Sequence, residues 1–282
     1  MQIIRSITKL RTALESQASV AFVPTMGNLH AGHIHLVELA KQHAACVVVS
    51  IFVNPLQFGP NEDLANYPRT QEADCDRLEA AGAHIVFIPE VKEIYPDFDG
   101  ISLGQTMLIT SPPIAKLLCG AARPGHFDGV ATIVMKLFNI VMPQVAVFGK
   151  KDFQQLFIIR ELVRQFNLPI RVIAGETVRE GSGLAMSSRN GYLTPVQKLE
   201  ASQLQQYLKN IVHQIQHDDT DFTDLSQSAI DKLTKHGWQV DYVSVRNALT
   251  LEPASAQDKC LVVLAAAKIG STRLIDNIDF LR

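Results

Sequence analysis

The sequence predicts an α/β protein: a parallel sheet covered by helices on both faces, followed by a smaller α+β unit. Short, continuously apolar, β-rich runs alternate with helical patterns up to about residue 176, as strands buried on both faces require. The texture then changes, and a glycine-, serine- and arginine-rich stretch over 179–190 leads into a long helical pattern and three more strands. A chain of 282 residues also exceeds the usual size of one hydrophobic core. Two domains are therefore expected, 1–176 and 177–282.

The first residues, MQIIRSITKLRTALESQ, read as an amphipathic helix and lack the apolar core of a signal peptide. Strands are predicted over 20–26, 46–52, 84–88, 145–148 and 169–174, with helices over 32–43, 74–81, 129–141 and 153–166 between them. In the second part a long helix is predicted over 195–217. The polar stretch DDTDFTDLS then opens another, with Asp221 or Thr223 as its cap. Strands over 239–245, 260–267 and 272–278 complete the series. The apolar run 260–267 is far too short to span a bilayer.

With 26 basic against 28 acidic residues and no basic tract, the chain lacks the electrostatic footprint of a nucleic-acid binder. Cys46, Cys75, Cys119 and Cys260 are widely spaced and form no CxxC pair. They suit neither a zinc site nor a disulfide framework, and the expectation is a cytoplasmic protein with no membrane partner.

The strongest local signal is PTMGNLHAGHIHLVELA over 24–40, which sets His30, Ala31, Gly32 and His33 between a buried strand and the first turn of a helix. Unpaired amides and the helix dipole favour anionic oxygens at such a junction. Histidines three apart can point the same way and donate to those oxygens. Gly32 leaves room for a nucleotide ring to approach. A second signal, GLAMSSRNGYL over 183–193, resembles the mobile KMSKS-type loop that accompanies HxGH. The hydroxyls of Ser187 and Ser188 and the guanidinium of Arg189 can grip a polyphosphate.

A third signal, VFGKKDFQQL over 147–156, follows a strand and opens a helix, which brings Lys151 to the sheet's carboxyl edge. Gln154 and Gln155 are poor core residues, so at least one should face a cavity or solvent. The fourth, SIFVNPLQFGPNEDLANYPRT over 50–70, becomes a long proline- and asparagine-rich loop. Its Asn54 and Gln57 suit the reading of hydroxyls and a carboxylate. The segment ARPGHFDGVATIV adds Arg123 and His126 before a helix.

These segments, in this order, resemble the pantothenate synthetase family over essentially the whole chain, and the late RLIDNI fits the same family. The resemblance implies a Rossmann-like first domain with a smaller C-terminal lid, assembled as a homodimer. It implies an ATP-dependent ligase that condenses (R)-pantoate with β-alanine through pantoyl-adenylate, with AMP and pyrophosphate released. ATP is a substrate, and Mg²⁺ is held mainly through its phosphates, with no protein metal site assigned and Asp74 as a possible outer-sphere group. The implied ATP site runs through Met26, Gly27, Asn28, Leu29, His30, Ala31, Gly32 and His33, with His33 the proton donor. It continues at Gly149, Lys150, Lys151 and Asp152, at Val178, and at Met186, Ser187, Ser188 and Arg189. Of these, Asp152 and Val178 would hold the ribose and adenine. Gln57 and Gln155 would bind pantoate and β-alanine. Some members of the family carry glutamate where this chain has Cys119, and a negatively charged residue is common in the family at the position of Lys150.

Two other readings stay open on the residues alone. A nucleotidyltransferase that moves AMP onto a phosphate shares HxGH and the fold but needs no acid-reading glutamine pair. An idle nucleotide-binding protein would have no use for His30, His33, Lys151 and Arg189 together.

Overall fold

The structure is a computed structural model that describes residues 1–59, 62, 64–217 and 221–282. Residues 60, 61 and 63 of the 50–70 segment and residues 218–220 of the polar stretch lie outside the described residues. The chain begins β1 (Gln2–Ile4), α1 (Ile7–Leu14), β2 (Val20–Thr25), α2 (Ala31–Lys41), β3 (Cys46–Ile51), α3 (Gln71–Ala80), β4 (Ile85–Phe87) and α4 (Val91–Ile94). It continues with α5 (Cys119–Ala122), α6 (His126–Val141), β5 (Val145–Gly149), α7 (Phe153–Gln165) and β6 (Arg171–Gly175). Then follow α8 (Pro195–Ala201), α9 (Gln203–Gln216), α10 (Phe222–Lys235), β7 (Gln239–Asn247), β8 (Cys260–Ile269) and β9 (Thr272–Leu281).

Two compact units emerge. The first comprises Met1–Pro112, Arg123–Gly149 and Ile158–Gly175; the second comprises Pro113–Ala122, Lys150–Phe157 and Glu176–Arg282. The first is built on six parallel strands in the order β1-β4-β3-β2-β5-β6. From β2 the chain lays down β3 and β4 to one side, then returns to lay β5 and β6 on the other. The carboxyl end of β2 therefore lies at the point where strand order reverses, the place where open α/β sheets bind ligands. Alternation along β2 serves both faces. Ala21 and Val23 pack with Leu36, Val37 and Leu78 of α2 and α3, while Phe22 meets Phe138 of α6 edge-on, centroids 6.5 Å apart.

The opening residues correct one expectation. A strand precedes the helix: β1 pairs with β4, Gln2 opposite Ile85 and Ile4 opposite Phe87. Only Ile4 of its three residues is buried. An edge strand this short leaves no alternation to read against the helical pattern that starts at Ile7.

The second unit carries the antiparallel sheet β7-β8-β9. Leu261, Val263 and Ala265 of β8 face a core with Leu208, Ile211 and Leu233 of α9 and α10. Val262 and Leu264 face another, with Ile114, Phe153 and Leu251. A central strand covered on both sides explains the unbroken apolar run. The helix predicted over 195–217 is two helices joined at Ser202, which keeps helical angles while its hydroxyl donates to the Leu199 carbonyl at 2.7 Å. Such back-bonding bends helices. Asp221 caps α10, accepting the Asp224 amide at 2.9 Å. Among the described residues no helix is long and apolar enough to cross a membrane.

Candidate active site

In the first unit the candidate site starts where β2 ends. Gly27 and Asn28 have φ of 85° and 50°, a left-handed turn that glycine accepts without a Cβ penalty. A Cβ at Gly27 would also lie 3.2 Å from an Asp74 oxygen. That carboxylate is fully buried. Its two oxygens accept the amides of Asn28 and Leu29, each at 2.8 Å, and the Thr70 hydroxyl at 3.1 Å. The Arg77 guanidinium donates to the Leu29 carbonyl. Asp74 is thus the anchor of the loop that delivers the histidines, a role that nothing in its sequence surroundings signals.

His30 and His33 close the start of α2 on each other. His30 Nδ1 accepts the Gly32 amide at 3.1 Å, and His33 Nδ1 accepts the His30 amide at 3.2 Å, a capping box made of two imidazoles. A backbone amide can only donate, so both Nδ1 atoms carry a lone pair and each ring hydrogen sits on Nε2. The rings lie with centroids 4.1 Å apart. The pair therefore presents two neighbouring N–H donors at a helix N-terminus. At the carboxyl ends of β2, β3 and β4 opens a cleft of about 710 Å³, lined by Met26, Gly27, Phe52, Thr70, Asp74 and Phe98 among others.

Gln57 ends a short 3-10 turn, Pro55–Gln57, and is 9% exposed. Asn54, expected to read substrate, is instead consumed by the scaffold. Its Oδ1 caps the turn and accepts the Tyr95 hydroxyl at 2.5 Å, and its Nδ2 donates to the Gly129 carbonyl at 3.2 Å. Burial pushes the Tyr95 phenol well above its ordinary range. The Gln57 carbonyl accepts from His126 Nδ1 at 2.8 Å and from Arg123 at 3.1 Å, and Arg123 in turn pairs with Glu62. Arg123 and His126 therefore hold the turn that carries Gln57. Behind it, a Cβ at Gly129 would collide with the Leu56 carbonyl oxygen, so α6 meets the turn backbone to backbone.

In the second unit, Lys150–Asp152 form a 3-10 turn ahead of α7. Lys150 is tied to Glu176 at 2.7 Å and Asp279 at 2.8 Å. Burial lowers its pKa, but hydrogen bonds to Asp279 and Glu176 outweigh that and hold it above the usual lysine range. Lys151 is half-buried and Asp152 exposed. The glutamine pair divides as its chemistry demands. Gln154 is buried and saturated, donating to the Ile114 and Leu117 carbonyls and accepting the Cys119 amide, whereas Gln155 is half-buried. Cys119 Sγ lies 3.1 Å from the Tyr242 hydroxyl, beside Arg273.

The serine loop of this unit is a small hairpin. Met186 donates to the Val178 carbonyl at 2.9 Å, and Arg179 bridges Ala185. Ser187 Oγ then caps the 3-10 turn Ser188–Tyr192 by accepting the Arg189 amide at 3.2 Å. Ser187, Ser188 and Arg189 are all half-buried.

No three His, Cys, Asp or Glu side chains among the described residues converge as metal ligands. Both oxygens of Asp74 are taken up by backbone and hydroxyl donors.

A reversing parallel sheet with a histidine-capped helix at its switch point is a Rossmann-like arrangement. The family profile for pantoate–β-alanine ligase matches residues 2–279. A pantothenate synthetase from Methylobacillus flagellatus is 66% identical over 99% of both chains. One from Thiobacillus denitrificans is 55% identical over 99% of this chain and 97% of its own. Among solved structures, a pantothenate synthetase from Thermus thermophilus superposes with TM-score 0.92 at 40% identity, covering 99% of both chains. A pantoate–β-alanine ligase from Francisella tularensis, complexed with β,γ-ATP and β-alanine, gives 0.77 at 34% identity, covering 99% of this chain and 97% of that one. The chain belongs to the pantoate–β-alanine ligase family.

Proposed function

We propose that this chain condenses (R)-pantoate with β-alanine at the expense of ATP, and that the residues described above divide the work as follows. The reading is carried by the imidazole capping box, which sets His30 and His33 side by side at a helix N-terminus at a sheet switch point. First, a pantoate carboxylate oxygen attacks the α-phosphorus; the new O–P bond forms as the bond to pyrophosphate breaks. The β-alanine amine then attacks the acyl carbon, the bond to AMP breaks, and the amine gives up a proton.

The carboxylate is already ionised at neutral pH and needs no activating base. What the first step requires is alignment and stabilisation of charge on the leaving pyrophosphate. His30, His33, Lys151, Ser187, Ser188 and Arg189 supply that, with His33 donating through Nε2. The backbone from Met26 to Gly32 and at Gly149 and Lys150 lies along the nucleotide, and Met186 packs beside it. Asp152 and Val178 hold the ribose and adenine, while Gln57 and Gln155 read the acid. Mg²⁺ reaches the reaction on the triphosphate oxygens as part of the substrate. The serine loop acts as the lid of a C-terminal domain, 177–282, and keeps water from the adenylate.

The same reading makes the protein a cytoplasmic homodimer. Four free cysteines support the location, and exposed Met107 and Leu108 support the assembly; light scattering tests the latter. The central experiment omits β-alanine: ATP and pantoate alone should yield pantoyl-adenylate by mass. A strict requirement for β-alanine before any pyrophosphate appears would sink the two-step reading.

A further inference from the structure

The RLIDNI stretch on β9 matches no catalytic role, yet it holds two of the most buried polar side chains in the second unit: Asp276 is 4% and Asn277 5% exposed. Asn277 spends both hydrogens of its amide on the turn below, donating to the carbonyls of Lys150 at 3.0 Å and Lys151 at 2.8 Å. Asp276 grips Arg179 with both oxygens, at 2.7 and 2.9 Å, and also accepts the Asn277 amide at 2.8 Å. Arg179 reaches on to the Gly183 carbonyl at 3.1 Å, the tip of the hairpin that leads into Ser187.

Two adjacent residues on one rigid strand thus fix the two stretches of this unit that carry phosphate-binding candidates. We propose that Asn277 is a positioning residue for ATP, acting through Lys151: its side-chain amide sets the peptide planes on either side of the lysine and so the direction from which the ammonium leaves the backbone. The proposal rests on the reading that Lys151 meets the triphosphate. A side chain placed only to stabilise the fold could satisfy these carbonyls without affecting the nucleotide. A positioning group must change nucleotide chemistry, because a misdirected ammonium is a lost donor in the transition state.

The test is a double-mutant cycle on pantoate-dependent pyrophosphate exchange, with Asn277→Ala, Lys151→Ala and the pair, alongside thermal unfolding of each. Removing two directed hydrogen bonds should slow exchange about tenfold and raise the ATP KM, with the pantoate KM within about twofold of the parent. On the Lys151→Ala background the same substitution should cost less than about twofold, since residues that act through one another are not additive. If Asn277→Ala does not fold, Asn277→Asp, which keeps the volume but turns donors into acceptors, goes through the same cycle. A full tenfold loss on the Lys151→Ala background overturns the proposal. So does a lowered Tm with every kinetic constant intact, or a silent Lys151→Ala. An inactive parent chain would instead bring down the ligase reading itself, so the two failures are told apart by the parent.

Discussion

Asp74 on α3 accepts the backbone amide of Leu29 at 2.8 Å across 45 residues of sequence. Through that bond and its twin to Asn28, a helix on the flank of the sheet holds the left-handed turn that aims the histidines. Replacing Asp74 by Asn sets an NH₂ group against at least one amide that now has an acceptor. The expected cost is about 1–3 kcal/mol of stability, the penalty for a buried donor left unmet. Adenylation should fall as well, because the histidines inherit the displacement. Thermal unfolding and pyrophosphate exchange on Asp74→Asn check both; unchanged exchange would reduce Asp74 to a packing residue.

The imidazole capping box separates the two nitrogens of His33. Its Nδ1 closes the helix, and its Nε2–H is the proposed donor. Asn can mimic the first nitrogen with its amide oxygen but cannot reach the position of the second. His33→Asn should therefore keep the melting temperature within a few degrees of the parent, while His33→Ala lowers stability by the worth of a cap, about 1 kcal/mol. Both should lose about 10²–10³-fold in single-turnover adenylation, the size expected for one preorganised donor. Lys151→Ala should lose a similar factor. Near-normal adenylation in His33→Asn would move the chemistry to another group.

Gln57 and Gln155 are expected to read the acid rather than the nucleotide. An uncharged amide pairs well with hydroxyls and a carboxylate but adds little against a polyanion. Gln57→Ala or Gln155→Ala should cost roughly 1–3 kcal/mol in kcat/KM for pantoate, with a much smaller rise in the ATP KM. Steady-state constants for both substrates decide it. Equal damage to ATP binding counts against the assignment.

Gln154→Ala offers a control with the opposite signature. Its side chain is saturated by the 114–119 stretch, so its loss should lower stability by about 1–3 kcal/mol. The pantoate KM should stay within about twofold, in contrast to its neighbour Gln155.

Strands buried along their whole length, such as β3, announce themselves because nearly every residue is apolar. Five of the six parallel strands and all three antiparallel ones are legible in the sequence, β7 and β9 by their β-rich composition despite the polar residues they carry. β1 is not, since two of its three residues face outward and its only support is pairing with β4. The bend at Ser202 is hidden for a different reason, as a serine that bonds back to its own turn does not interrupt helical periodicity. In the candidate site, type and spacing single out candidates such as His30, His33, Lys151 and Arg189. The roles of Asp74, Asn54 and Asn277 cannot be read that way: their partners are backbone groups far away in sequence, and a carboxylate or amide satisfied by peptide groups leaves no pattern of side chains to find.

The contact between Gly129 and the Leu56 carbonyl carries a consequence for selectivity. Recognition surfaces usually yield because some rotamer behind them can turn. Where α6 meets the turn before Gln57, one peptide plane rests on another with no side chain between them, and packed interiors compress little. A wall of that kind has nowhere to recoil. An acid one methylene longer than its proper substrate would have to distort itself, so stiffness, more than the number of contacts, would set which acids are refused.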